Sequence, residues 1–344
     1  MKIKTQLIET IASKAIHKIT LVNDFGIEAS FLTLGATWQE FLVPRANGGK
    51  KNLIIGFDQP STYLTNGLCA GQSIGRVAGR IDSGRFEIDG KVFSVPQNEK
   101  GNCLHGGNQG FHKQVWDYDV EESKDKVTLI MTYEPKEALD GFPGDMKVEV
   151  RFSLDNANCL TITYKGSQAS QPTLFNPTNH VYVNLSDRQD LTSHHLTLAA
   201  DAYLETRDDL IPTGKQVDPT GTAYDFRNGQ NLGQSLMKIG GYDDAFVVSP
   251  NMESPLGILK DQDSGDQLAL YSDRNAWVIY TMGGISDGIF PSRDKGRAAK
   301  EFEAVALEAQ FLPDAINHQG FGDIVLRPGQ EKIYHIAFEY RSSS

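Results

Sequence analysis

Five short segments carry residue types able to move protons or hold a polyhydroxylated ligand, each set in strand-like or glycine-rich surroundings. In Leu-Glu-Ala-Gln, 307–310, a strand conformation puts Glu308 and Gln310 on one face, and a carboxylate there suits a general base. In Asn-Pro-Thr-Asn-His-Val-Tyr-Val-Asn-Leu, 176–185, a proline-marked turn leads into alternation. His180, Tyr182 and Asn184 share a hydrogen-bonding face, and Val181, Val183 and Leu185 share an apolar one. Cys-Leu-His-Gly-Gly, 103–107, sets His105 before two glycines, which lets backbone approach a ligand closely. Ile-Gly-Arg-Val-Ala-Gly-Arg-Ile, 74–81, offers Arg76 and Arg80 as donor forks for an oxygen-rich ligand. Gly-Tyr-Asp-Asp-Ala-Phe, 241–246, reads as a loop whose Asp243 and Asp244 suit sugar hydroxyls or a cation. Each has a plainer reading: a surface Glu, a solvated strand face, a turn with an incidental His, an ion pair, a turn cap.

Other signatures fail. Pro-Thr-Gly-Lys-Gln at 212–216 lacks the upstream glycine and the following Ser/Thr of a phosphate loop, and neither GxGxxG nor GxSxG occurs. His194-His195 lacks HExxH spacing and reads as a strand edge. Cys69, Cys103 and Cys159 form no CxxC pair and read as free thiols of a reducing compartment.

The elements that must position these side chains repeat with period two. Val148, Val150, Phe152 and Leu154 alternate with polar residues, and Tyr334, Ile336, Phe338 and Tyr340 line one face of a last strand. Further strands are expected at 17–23, 27–34, 52–56, 85–95, 127–134, 180–186, 194–200, 267–272 and 276–282, with Asp89-Gly90 turning a hairpin. Helical pattern is sparse. Gly233–Ile239 suits one short helix, and in 294–310 an Ala/Glu-rich helical composition competes with the alternation of Val305, Leu307 and Ala309. Many short strands with Gly-rich turns give an all-β sandwich, and with no linker or repeat the expectation is a single domain, 1–344.

Composition narrows the partners. Lys plus Arg number 33 against 44 Asp plus Glu, a formal charge of −11, and no Lys/Arg block stands out. Nucleic-acid binding and attraction to an anionic membrane are disfavoured. The N-terminus lacks the apolar core of a signal peptide and no apolar run reaches spanning length, so a cytoplasmic protein is expected.

Taken together and in this order, AGRI with Arg80, LHGG with His105, NPTNHVYVNL with His180, GYDDAF with Asp243 and LEAQFLPDA with Glu308 resemble the galactose mutarotase (aldose 1-epimerase) family. The matches span 74–315, so the resemblance covers nearly the whole chain. It implies a large antiparallel β-sandwich of the galactose mutarotase-like supersandwich type, with few short helices and a sugar cleft on one concave face. It implies Glu308 as general base, His180 as general acid, and Arg80, His105 and Asp243 as groups that hold the sugar. It also implies no cofactor or metal, and a small aldose as the partner of a monomer or homodimer. The chain departs from many relatives at Gly79, where they have Asn, at Asp244, where they have His, and at Val183, where they have Phe; the first two bear on substrate preference.

The implied reaction interconverts α and β anomers of a free hexose such as galactose or glucose. Ring opening needs one proton removed from the C1 hydroxyl and one delivered to the ring oxygen, and a carboxylate with an imidazolium on opposite sides does both. Trp116, Tyr280 and Phe290 are aromatic candidates for a platform under the sugar ring, and the sequence does not choose among them. Rival readings are a hexose-6-phosphate epimerase, which needs extra cations at the cleft, a glycoside hydrolase using Glu308 with Asp243, and a non-catalytic carbohydrate-binding protein.

Overall fold

Three antiparallel sheets dominate the computed structural model, which describes residues 1–46, 48–285 and 288–343. The N-terminal sheet is a meander of Lys2–Ile11, Lys14–Val22, Glu28–Leu32, Thr37–Pro44 and Lys50–Asn52. A long sheet runs Asp117–Glu122, Lys126–Tyr133, Lys147–Asp155, Cys159–Ser167, Lys332–Arg341, Gln267–Ser272, Gly257–Asp261, His194–Leu198 and Gln230–Asn231. The third sheet runs Tyr182–Val183, Val305–Gln310, Ala276–Tyr280, Asp243–Val248, Ala200–Thr206 and Pro212–Val217.

The inner face of the long sheet packs against both of the others, which makes the sandwich. Phe152 meets Phe31 of the N-terminal sheet, with ring centroids 4.4 Å apart. Phe338 meets Trp38 of that sheet at 5.3 Å and Trp277 of the third sheet at 6.0 Å. The alternation in Lys147–Asp155 explains the geometry: Val148, Val150, Phe152 and Leu154 are buried and their neighbours half-buried. Helix is confined, among the described residues, to Glu137–Asp140, Leu232–Ile239 and single 3₁₀ turns. In Leu232–Ile239 the Asn231 side chain caps the N-terminus by accepting from the Gln234 N–H, and Gly240 ends the helix at φ +80°. Among the described residues no helix is long and apolar enough to cross a membrane.

Several expectations need correction. The competition in 294–310 resolves as a 3₁₀ turn, Ser292–Asp294, and a strand, Val305–Gln310. Strand wins because the segment has a partner strand on each side, which pairs its backbone along both edges, and all six of its residues are buried. Asp243 opens a strand and does not sit in a loop. Of 180–186 only Tyr182–Val183 is strand, and of 52–56 only Asn52, with Ile54 making an isolated bridge to Val183. The Asp89-Gly90 hairpin forms as expected, with φ positive at both turn residues.

Candidate active site

One face of the third sheet is polar at its centre, and register explains why. Three strands pair so that Asp243 stands opposite Tyr280, Ala245 opposite Val278, Val278 opposite Glu308, and Ala276 opposite Gln310. Successive residues point to opposite faces, so Phe246, Trp277, Ile279, Leu307 and Ala309 enter the main core behind this row. Ala306, between Tyr280 and Tyr182, and Ala276, beside Gln310, are small and leave room above the sheet.

A cavity of about 260 Å³ lies over that face. Arg80, His105, His180, Asp243 and Glu308 all line it, together with Tyr182, Tyr280 and Gln310. The two proposed proton carriers meet directly: His180 Nε2 is 3.2 Å from Glu308 Oε1. His180 is 5% and Glu308 3% exposed, so both ionise in a desolvated setting. Backbone hydrogen bonds pin His180, whose N–H donates to Gln72 O and whose O accepts from Gly71.

Burial drives both groups toward their neutral forms. It lowers His180 to about 4 and raises Glu308 well above the usual carboxylate range. The negative charge of Asp243 raises Glu308 further, and Arg80 opposes it. Both shifts disfavour separated charges, so burial favours a single proton shared between His180 Nε2 and Glu308 Oε1.

His105 reaches the cavity from a loop that only glycine can make. Its own φ is +54°, and Gly106 and Gly107 follow at +80° and +78°. A Cβ on Gly106 would lie 2.0 Å from Gly75 O, a contact no side chain can make. The Gly79 N–H donates to His105 Nδ1 at 3.3 Å, which leaves the proton on Nε2. Burial, with His180, His112 and Arg80 nearby, keeps His105 neutral, so Nε2–H is a fixed donor. Arg80 is oriented by Glu99, whose Oε2 accepts from Nε at 3.0 Å. Asp243 has surface open to the cavity. Partial withdrawal from bulk water nevertheless raises its carboxyl, with Arg80 opposing.

The remaining sequence candidates divide. Arg76 is fully buried and bonded to Asp140 through Nε at 2.7 Å and Nη2 at 3.0 Å; it is a structural ion pair, not a ligand donor. Asn184 also turns away from any ligand: its Nδ2 donates to Glu303 O at 2.6 Å and to Arg188 O at 3.0 Å, fastening loops. Gly79 lines the cavity. Asp244 points to the other side of its strand, where its Oδ2 accepts from the Asp243 N–H and burial lifts its carboxyl to about 7. Of the three aromatic platforms Tyr280 lines the cavity, Trp116 packs in the core against Phe111, and Phe290 is exposed elsewhere.

Sequence reasoning missed Leu68, Cys69, Leu204, Leu210 and Pro212 in the cavity wall. Most are apolar residues of loops and strand ends, with no spacing to betray them. The Cys69 thiol is pushed up to about 12 by burial, so it contributes wall and not nucleophile.

Comparison with known proteins identifies the family and the fold. The profile of the family described as Aldose 1-epimerase matches residues 17–339. An aldose 1-epimerase of Streptococcus thermophilus is 45% identical, covering 100% of both chains. A maltose epimerase of Levilactobacillus brevis is 35% identical over 99% of each. The crystal structure of a galactose 1-epimerase from Lactobacillus acidophilus superposes with a TM-score of 0.87 at 26% identity, covering 100% of this chain and 99% of that one. The chain is an enzyme that belongs to the aldose 1-epimerase family.

Proposed function

We propose that the chain interconverts the α and β anomers of a free hexose such as galactose or glucose, with Glu308 as base and His180 as acid. The observation that carries this reading is the 3.2 Å approach of His180 Nε2 to Glu308 Oε1 inside a cavity that Arg80, His105 and Asp243 also line. Because the pair holds one proton, its carboxylate–imidazolium form arises by moving that proton between partners, without uptake from solvent. Glu308 then removes the proton of O1 while His180 protonates the ring oxygen, and the C1–O5 bond breaks. The aldehyde turns about C1–C2, the ring closes on its other face, and both protons return. Arg80 and the His105 Nε2–H donate to sugar oxygens, Asp243 accepts from hydroxyls, and Tyr280 offers an aromatic wall.

The cavity favours an uncharged single sugar. Among its described lining residues Arg80 is the one cation, already paired with Glu99, while Asp243 and Glu308 are acidic; a sugar phosphate finds no second cation there. A volume of about 260 Å³ falls below the roughly 300–1,000 Å³ of pockets that enclose drug-sized ligands, which favours one pyranose ring over a whole disaccharide.

The test is polarimetry on freshly dissolved α-galactose and α-glucose, corrected for spontaneous mutarotation. His180→Asn and Glu308→Gln are each expected to lower kcat by about 10²–10⁴-fold while sugar binding stays measurable by calorimetry. Near-normal turnover by either variant removes that residue from the mechanism.

A further inference from the structure

We propose that Gln310 binds the substrate, holding one sugar hydroxyl through both ends of its side-chain amide. This rests on the reading of the cavity as a sugar site and adds a residue to it.

Three residues that line the cavity carry buried side-chain atoms without a protein hydrogen-bond partner: His180 at Nδ1, Glu308 at Oε2, and Gln310 at both Oε1 and Nε2. The first two are the proposed acid and base. Gln310 is 1% exposed, so its amide is as withdrawn from bulk water as they are. A buried amide with neither end paired is destabilising, and nearly all such groups in folded proteins find partners. An amide also matches a hydroxyl: Nε2 donates, Oε1 accepts, and a hydroxyl does both.

Position agrees with chemistry. Gln310 and Glu308 stand two residues apart on the same face of Val305–Gln310, roughly 7 Å along the strand. A Cβ built on Gly79 would lie 3.2 Å from Gln310 Nε2, so the amide sits beside Gly79, whose N–H holds His105. Its head is therefore at the end of the cavity where His105, His180 and Glu308 converge. Ala276, its cross-strand neighbour, is too small to screen it and carries no polar side-chain atom.

The decisive variant is Gln310→Met, which keeps the length and removes the amide. On galactose and glucose its kcat/KM should fall at least tenfold. On a panel of deoxy sugars, each lacking one hydroxyl, that penalty should vanish for one member and persist for the others. The Tm should hold or rise, because unpaired polar atoms are lost. The pH profile of the residual activity should keep its shape, because an amide does not titrate. The proposal is overturned by a penalty below tenfold, by an equal penalty on every deoxy sugar, or by a fall in Tm that accompanies the lost activity. If the wild-type chain binds these sugars without interconverting their anomers, the reaction reading fails on its own. Equilibrium affinities then replace kcat/KM in the same comparison, and Gln310 is judged by them.

Discussion

A single proton held between a buried imidazole and a buried carboxyl sets the pH range over which the site can work. The pair becomes inactive on the acid side when it takes a second proton, because no base is left. That step belongs to His180, which burial lowers to about 4. It becomes inactive on the alkaline side when it loses its last proton, because no acid is left, and Glu308 is held well above the usual carboxylate range. The activity of the free enzyme, read as kcat/KM, should therefore keep its plateau as pH falls through 6.5, where an ordinary imidazole titrates, and decline only near pH 4. An acid limb centred between pH 6 and 7 would show His180 to be hydrated and the desolvation argument to be mistaken. At this scale the sequence was informative for a physical reason. Glu308 and Gln310 alternate with core residues, so their shared face follows from period two alone. Asn184 obeys the same alternation and still turns into a loop clamp, because strand pairing stops at Val183. Period two predicts a face only while the strand lasts.

The loop that carries His105 shows how an element makes a residue usable. At Gly106 two constraints coincide: a φ of +80° and a Cβ position 2.0 Å from Gly75 O. Gly221 has a similar φ of +74° with open space around it, and so reports the backbone cost alone. Gly221→Ala should cost about 1–2 kcal/mol of stability, the price of a left-handed non-glycine residue, and leave kcat/KM unchanged. Gly106→Ala should cost more than that and lower kcat/KM at least tenfold, because the strand-ending turn must move and carry His105 with it. Thermal unfolding and polarimetry on the two variants separate strain from misplacement, and equal activities would mean that the loop tolerates the methyl group without shifting His105. Elements were legible in the sequence where one face is dry and obscure where burial gives no alternation. The hairpin Arg85–Ile88 with Lys91–Ser94 was read from its turn. Lys2–Ile11 gives no strand signal, because it is exposed or half-buried throughout and has no apolar face to display. Adjacent aspartates at 243–244 read as a turn cap, whereas pairing with Tyr280 draws Asp243 into the sheet.

At the level of the whole molecule the site depends on a sheet that is itself held from behind. Trp277 stands opposite Ala309 on the core side of the two strands that carry Val278 and Glu308, and its ring meets Phe338 of the long sheet edge-on at 6.0 Å. Phe338 also meets Trp38 of the N-terminal sheet at 5.3 Å, so one fully buried ring touches both partners of the long sheet. If the chain 1–344 folds as one domain, loosening this junction must be felt on both sides together. Phe338→Ala should then cost about 3–5 kcal/mol and shift a single cooperative transition. Fluorescence, which reports Trp38, Trp116 and Trp277, should shift in step with the circular dichroism of the strands. Two transitions, with single-tryptophan variants showing Trp38 and Trp277 losing their environments at different temperatures, would make the N-terminal sheet a separate unit. The activity of the folded variant is the companion measurement. Because the cavity residues point away from Phe338, turnover below the transition should stay close to wild type. Loss of turnover in a still-folded variant would mean that the register of Val305–Gln310, and with it the approach of Glu308 to His180, is set by packing across the sandwich and not by the strand pairing alone.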